Sequence, residues 1–332
     1  MATPLISVVT ATYNRPAVLA YAIRSVIAQS LPDWEMLVVG DACTDDTAAV
    51  LASFADSRLR FHNLATNFGE QSGPNNEGIR LAEGRYLAVL NHDDLWFPDH
   101  LALAVAEIEG AHADVVFAPG VAVRPADRKR LEAGDWRLGW SGRHRRGYYD
   151  PATTMGPAST LVLSMNAARR IGPWRPAAAC FAESSQDFLF RAWRMGLTIK
   201  RGPELSVLMF NSGERRDSYL EGAAEEQDFF WRRLAGDAGG LRSDLMARWQ
   251  PVERRWFSLW PDIALKQGLR GLAHLGLSPR ELRFRFHRGF GRGEYIRALR
   301  RHRGLDAVAA PKSSAKGASS NRPGTASGGR QP

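Results

Sequence analysis

Across the first 120 residues, short apolar runs alternate with amphipathic segments, and this alternation limits the possible folds more than any other feature. Runs at residues 5–9, 35–39, 58–62, 86–90 and 114–118 have the length of buried strands. Between them, residues 16–29, the stretch opening at 44–47, and residues 76–82 and 98–108 read as helices. In the first of these, Leu19, Ala22, Ile23, Val26 and Ile27 share one helix face, and Pro16 suits the first turn. Thr44 is the expected N-cap of the second helix, with Asp45 and Asp46 favourably close to its positive end. The alternation predicts an α/β fold with an open, mostly parallel, doubly wound sheet flanked by helices.

Sheets of this kind bind ligands beyond the carboxyl ends of their strands. The residues just past the expected strands are therefore the ones to read for chemistry: 10–14 (TATYN), 40–44 (GDACT) and 91–94 (NHDD). These three polar clusters should converge on one crevice. No Gly-x-Gly-x-x-Gly loop follows the first strand, which argues against a dinucleotide cofactor, and no phosphate-binding Gly-x-x-x-x-Gly-Lys loop occurs. A Gly-x-Ser-x-Gly nucleophile elbow is missing as well.

The chain has 332 residues, 44% of them hydrophobic, enough for a sizeable core. Its two cysteines, Cys43 and Cys180, lie far apart without metal-ligand spacing, which fits a reducing compartment. No basic segment precedes an apolar run at the start, and no run reaches the ~18 apolar residues of a spanning helix. The expectation is a cytoplasmic protein, soluble or peripheral at the inner face of a membrane. The net charge of +9 is uneven: residues 248–303 hold fourteen Arg and Lys against four Asp and Glu. Residues 127–150 read as a polar surface loop or insertion, basic at 143–146. The expected organisation is a catalytic domain over 1–235, a basic helical extension over 236–305 and a disordered tail over 306–332, whose Ala, Ser, Gly, Pro and Lys cannot bury a core.

Residues 4–15 (PLISVVTATYNR), 34–47 (WEMLVVGDACTDDT) and 90–101 (LNHDDLWFPDHL) resemble the family 2 glycosyltransferases, which have the GT-A fold. Asn67-Phe68-Gly69, Asn76-Glu77-Gly78-Ile79 and residues 82–86 (AEGRY) sit between them in the family's order, and residues 185–191 (SQDFLFR) fall where the family carries its catalytic acidic motif. Each motif is weak alone, whereas their order and spacing over residues 4–210 are specific. The resemblance implies a GT-A-type, Rossmann-like sheet and inverting transfer of a sugar from a nucleoside-diphosphate-sugar to an acceptor hydroxyl. It also implies a divalent cation, Mn²⁺ or Mg²⁺, and work in cell-surface polysaccharide or glycolipid synthesis on a sugar or lipid-linked acceptor.

Two positions depart from the family pattern. The Asp-x-Asp metal motif opens on Asn91, which can hydrogen-bond a ribose but brings no charge to a cation, so Asp93 becomes the principal metal ligand. Asn75 stands where a basic residue is frequent, so a donor-phosphate contact must come from elsewhere.

Sugar transfer needs a base for the acceptor proton, neutralisation of the departing diphosphate, and alignment of both sugars. A Mg²⁺ or Mn²⁺ ion completes its shell with phosphate and water, so one carboxylate, Asp93, can suffice. The resemblance further assigns Asp41 to the nucleotide base, Tyr13 to its border, the Ala11 backbone to the nucleotide, and Asn91 and His92 to donor binding. Plainer roles compete: Asp93 or Asp94 could cap a following helix, Asp41 could bond its own turn, and Tyr13 could be a core-edge residue. Asp187 is the expected general base, at a helix start whose dipole keeps it ionised, although an N-cap is the simpler reading. Arg191, one turn on, either pairs with Asp187 or reaches phosphate.

The basic residues 248–303 mix Arg with aromatics and Leu. They suit an anionic membrane near a lipid-linked acceptor, or a packed helical subdomain with a solvated Arg face, and less well nucleic acid. A nucleotidyltransferase is disfavoured because no Gly-rich basic loop follows the first strand. A non-catalytic nucleotide-sugar-binding module is the remaining alternative, motivated by Asn91.

Overall fold

In the computed structural model, the described residues are 3–141, 147–211, 215–221, 224–255, 260–287, 289 and 291–305. The basic run at 143–146 and the tail at 306–332 lie outside them.

The chain starts with β1 (Ile6–Thr12), α1 (Pro16–Ile27), β2 (Trp34–Gly40), α2 (Thr47–Ala52), β3 (Leu59–Asn63), α3 (Ser72–Leu81) and β4 (Tyr86–Val89). It goes on through β5 (Leu95–Trp96), α4 (His100–Gly110), β6 (Val115–Phe117), β7 (Gly120–Val123), α5 (Arg128–Glu132), β8 (Leu138–Ser141), β9 (Leu161–Ser164) and α6 (Met165–Ile171). Then come α7 (Ser184–Arg194), β10 (Ile199–Arg201), β11 (Val207–Phe210), α8 (Ser218–Glu221) and α9 (Glu225–Gly236). The C-terminal helices are α10 (Ala238–Arg255), α11 (Trp260–His274), α12 (Pro279–His287) and α13 (Glu294–His302).

Seven strands form the main sheet in the order β10-β6-β9-β4-β1-β2-β3. The pairs β1–β2, β1–β4, β2–β3 and β10–β6 are parallel, and β9 runs antiparallel between β4 and β6. The strands β1, β2 and β4 are buried along almost their whole length, which is why they read as continuous apolar runs rather than alternating ones. One apolar layer packs α1 and α4 on the sheet through Leu19, Ile23, Val26, Leu101 and Val105. The opposite layer packs α6 and α7 through Ala168, Ile171, Phe188 and Leu189. Gly78 lets α3 approach the sheet closely, since a Cβ there would run into the Val9 side chain.

The structure differs from the sequence expectation in three places. Thr44 does not cap α2; the helix begins at Thr47, whose N–H and Oγ1 both donate to Asp45 Oδ1, and the Thr44 N–H donates to Asn14 Oδ1 at 2.9 Å. The α3 helix starts at Ser72, four residues before the expected 76, because Gln71 O accepts the Asn75 N–H. Most importantly, a second sheet of four strands, β5-β11-β7-β8, was not expected at all. Its β8, together with α5, lies inside the stretch read as a surface loop. These strands have two to four residues each, too short to show a period. They are held by a third apolar cluster that joins Phe97, Val121, Leu208 and Phe210 to Phe230 and Leu234 of α9 and Leu241 and Leu245 of α10.

His100 opens α4 between the two sheets, fully buried. Its ring stacks on Trp96 with centroids 4.3 Å apart, and Nδ1 hydrogen-bonds Ser206 Oγ at 2.9 Å. Burial pushes the imidazole from its ordinary 6.5 down to about 3. Between those values the unfolded chain binds the proton and the folded one does not, so this group's stabilisation is complete above pH 6.5 and lost as pH falls. Each pH unit within that window costs about 1.4 kcal/mol. In denaturant titrations, His100→Phe should therefore lose roughly 2 kcal/mol of the stability difference between pH 6.5 and pH 5. An unchanged pH dependence would rule His100 out as the titrating group.

Candidate active site

Because β2, β1 and β4 are adjacent and parallel, their carboxyl ends reach the same edge of the sheet. The chain leaves β1 and β2 by sharp turns with Asn14 at φ 45° and Ala42 at φ 59°. Asn14 and Thr44 bind each other across these turns, with Thr44 N–H donating to Asn14 Oδ1 and Asn14 Nδ2 to Thr44 Oγ1 at 3.3 Å.

Asp41, just past β2, is 4% exposed. It does not bond its own turn. Its two carboxylate oxygens accept the N–H groups of Phe68 and Gly69 at 2.7 and 2.8 Å, and its carbonyl accepts from Asn67 Nδ2. The Asn67-Phe68-Gly69 motif is thus drawn over the end of β2. Burial pushes the Asp41 carboxyl upward, against the lowering effect of those two amides. Burial likewise raises the Tyr13 hydroxyl, while the Arg300 guanidinium opposes the rise.

At the end of β4, residues 91–94 divide the work between two carboxylates. Asp94 is 3% exposed and faces inward. It accepts from Ser159 Oγ, from Asn91 Nδ2 at 3.1 Å and from Phe210 N–H at 2.9 Å. Burial, and next the Asp93 charge, push the Asp94 carboxyl up to about 8. Asn91 therefore has a local reason: an Asp there would put a second carboxylate against Asp94 in place of a donor. Neither Asp93 nor Asp94 caps a helix, because the turn leads into β5 and α4 has Asp99 at its N-cap position.

The Asp93 side chain is 20% exposed and lies 3.8 Å from Arg15 Nη1, while its carbonyl accepts from Gln227 Nε2. His92 turns back onto β1, with Nδ1 3.2 Å from the Ala11 carbonyl, and its ring meets Tyr219 edge-on at 6.2 Å. Burial holds the His92 imidazole below its ordinary value. The Arg15 guanidinium lies 5.0 Å from the centre of the Tyr219 ring. Ala11, Asn91, His92 and Asp93 thus form one cluster, and Tyr13 and Asp41 a second one strand away.

Asp187 sits in the first turn of α7 and is not its N-cap, which is Glu183. Its side chain is 6% exposed between two arginines, with Arg175 Nη1 at 3.3 Å from Oδ1 and Arg191 Nε at 2.8 Å from Oδ2. Arg191 pairs with Asp187 rather than facing a ligand, since its remaining nitrogens donate to the carbonyls of Ile171 and Pro173. Asn76 supports this arrangement from α3 by exchanging two hydrogen bonds with the backbone of Trp174, next to Arg175. Burial raises the Cys180 thiol to about 12, and the charges of Asp187, Glu281 and Glu70 add to the rise.

Among the described residues, no group of three or more His, Cys, Asp and Glu side chains is arranged to hold a metal ion alone. The donor set fits a cation shared with a ligand: Asp93 offers one partly exposed carboxylate, while Asp94 is turned to protein donors. Sequence reasoning missed Arg15, Ser159, Arg175 and Tyr219. Of these only Arg15 carried a signal, as the residue directly after the first polar cluster.

The family model for glycosyl transferase family 2 matches residues 7–171. The chain is 38% identical over 100 residues to a putative teichuronic acid biosynthesis glycosyltransferase, TuaG, of Bacillus subtilis, a match covering 30% of this chain and 39% of that protein. It is 30% identical over 103 residues to an Escherichia coli UDP-Glc:alpha-D-GlcNAc-diphosphoundecaprenol beta-1,3-glucosyltransferase, WfgD, covering 31% and 40%. These stretches span less than half the length of either relative. Among solved structures, Staphylococcus aureus TarS 1-349 in complex with UDP superposes with a TM-score of 0.52 at 19% identity, covering 65% of this chain and 62% of that one. That likeness is one of fold. With its motifs, its strand ends and its family match in register, the chain belongs to glycosyl transferase family 2.

Proposed function

We propose that the chain is an inverting glycosyltransferase that moves a sugar from a nucleoside-diphosphate-sugar to an acceptor hydroxyl in cell-surface polysaccharide or glycolipid synthesis. The observation that carries this reading is the pair of aspartates at the ends of the two strands that flank β1, Asp41 beside Tyr13 and Asp93 beside Ala11 and His92, inside a family 2 domain. The nucleoside lies against Tyr13 and Asp41, and the diphosphate extends toward Asp93. Asp93 would hold a divalent cation together with the diphosphate, and that cation would supply Lewis-acid neutralisation of the leaving group. The names of the matched relatives, in teichuronic acid and lipid-diphosphate-linked glucosyl transfer, support the substrate class.

Asp187 takes the acceptor proton as the acceptor oxygen bonds to the anomeric carbon and the bond from that carbon to phosphate breaks, releasing the nucleoside diphosphate. Its two arginines differ in freedom: the Arg191 side chain is 14% exposed and Arg175 56% exposed. Arg191 holds Oδ2 and keeps the carboxylate oriented, while Arg175 can yield Oδ1 to the acceptor hydroxyl. Among the described residues no helix is long and apolar enough to cross a membrane. Exposed Leu265, Leu275, Leu277 and Phe286, on or next to α11 and the Arg-rich α12, support peripheral contact with an anionic membrane that carries the acceptor.

Thermal unfolding with UDP, GDP, dTDP, CDP and ADP, each with and without Mn²⁺, tests the donor site. One nucleotide should raise the midpoint in a Mn²⁺-dependent way, by an amount equivalent to about 2.7 kcal/mol at a hundredfold excess over its dissociation constant. Asp93→Ala should lose that rise, and Asp187→Asn should keep it while abolishing transfer. No shift with any nucleotide, or full turnover in Asp187→Asn, would overturn the respective assignment. Arg191→Ala leaves a buried carboxylate with one exposed partner and should cost about 3 kcal/mol in denaturant unfolding; a change near zero would show that Arg191 does not hold Asp187. Co-sedimentation should show binding to vesicles rich in anionic lipid that weakens with salt, and no binding to zwitterionic ones; equal recovery with both would exclude the charge-driven contact.

A further inference from the structure

The family match stops at residue 171, yet the last helix among the described residues comes back to the strand ends. Gly293, at φ 72°, opens α13 with its N–H bonded to the Cys180 carbonyl at 2.9 Å, on the α7 side of the crevice. Near the other end, Arg300 Nη1 donates to the Gly69 carbonyl, and the Gly69 N–H is one of the two that bind Asp41. Past α13's last turn, the carbonyls of His302 and Arg303 accept the N–H groups of Asp217 and Tyr219 at 2.9 and 3.2 Å. Tyr219 is the ring that meets His92 and lies under Arg15. The C-terminal end of one short helix therefore touches both the Asp41 corner, through Arg300 and Gly69, and the Asp93 corner, through Arg303 and Tyr219.

Positions 300 and 303 are three apart, so their side chains leave the same face of the helix end. The Arg300 charge reaches Tyr13 and Asp41, and that of Arg303 reaches His92 and Tyr219. Arg303 is half-buried, and its Nε is buried with no acceptor among the described residues. The Asp93 corner already holds Arg15, whose side chain is 3% exposed. Among the described residues of the 91–94 turn, Asp93 is the outward carboxylate, because Asp94 is committed to Ser159 and Phe210. Withdrawing a guanidinium from water is costly unless an acceptor answers it, and the buried Nε of Arg303 is such a group.

We propose that α13 is the outer wall of the donor site and that Arg300 and Arg303 bind the diphosphate of the nucleotide sugar, Arg303 at the Asp93 corner and Arg300 on the nucleoside side. The inference rests on the donor-site reading above and adds binding residues outside the matched family region. Guanidinium forks suit phosphate oxygens, and charge-assisted bonds of this kind strengthen as negative charge gathers on the leaving diphosphate.

The test measures calorimetric binding of each nucleoside diphosphate and its parent nucleoside, with Mn²⁺, to the full chain and to Arg300→Ala, Arg303→Ala, Arg303→Lys and Arg297→Ala. Arg297 is exposed on the same helix and serves as the control. Each alanine at 300 or 303 should weaken the diphosphate about tenfold or more and leave the nucleoside unchanged. Lysine at 303 should recover part of the loss, and Arg297→Ala should bind as the parent does. Unchanged diphosphate affinity overturns the inference. So does an equal loss for nucleoside and diphosphate, which marks α13 as a structural prop, or a gain in affinity, which marks it as a plug. If the parent chain binds no diphosphate, the donor-site reading falls and this inference with it; if it binds and the arginine variants match it, only this inference falls.

Discussion

Parallel pairing of β1 with both β2 and β4 is the constraint on which the rest depends. Seven residues of β1 pair in register with β2, Ile6 with Trp34 through Thr12 with Gly40, and four pair with β4. Strands paired this way end on the same edge of the sheet, so every loop that follows them starts from one rim. The close approach of α3 at Gly78 and the apolar layers on both faces hold that rim rigid. The loops can then carry groups with exposed or strained conformations, such as Asn14 and Ala42, without losing their position.

The aspartates on and near this rim have the same chemistry and different fates, set by what surrounds them. Asp94 is enclosed by three donors and carries the turn's structure. Asp93, one residue earlier, keeps a partly exposed carboxylate. Asp41 spends both oxygens on the Phe68 and Gly69 amides, which ties a distant loop to β2 and forms a wall beside Tyr13. Asp187 is fixed through one oxygen by a half-buried arginine and approached at the other by an exposed one. Burial, donor count and neighbouring charge separate the four more than residue identity does.

The C-terminal third is part of the same architecture. Leu241 and Leu245 of α10 complete the core under the second sheet, and Arg242 donates to Asp99 at the start of α4. Arg280 of α12 pairs with Glu183, which caps α7 just before Asp187. Much of the arginine excess is thus spent on ion pairs and carbonyls of the α/β core, and the exposed remainder lies with Leu275, Leu277 and Phe286 on the outer helices.

The alternation of strand and helix was legible from local pattern, because a buried strand needs a continuous apolar run and its crossover helix a 3.6-residue period. The sequence by itself therefore determined the alternation from β1 to α4, the rim, and the placing of Tyr13, Asp41 and Asp93 at strand ends. It also put Asp187 on the first turn of a helix. It did not determine partners. That Asn91 donates to Asp94, that His92 turns to the Ala11 carbonyl, and that Arg191 faces Asp187 all depend on side-chain directions in packed space. The second sheet was hidden because its strands are too short for a period and are stabilised by residues more than a hundred positions away, as when Phe210 N–H meets Asp94. The return of α13 to the crevice was hidden for a related reason: its basic, amphipathic pattern fits a solvated face as well as a covered one. Only the hydrogen bonds from Arg300 to Gly69 and from Tyr219 to Arg303, between segments remote in sequence, decided which face meets the site.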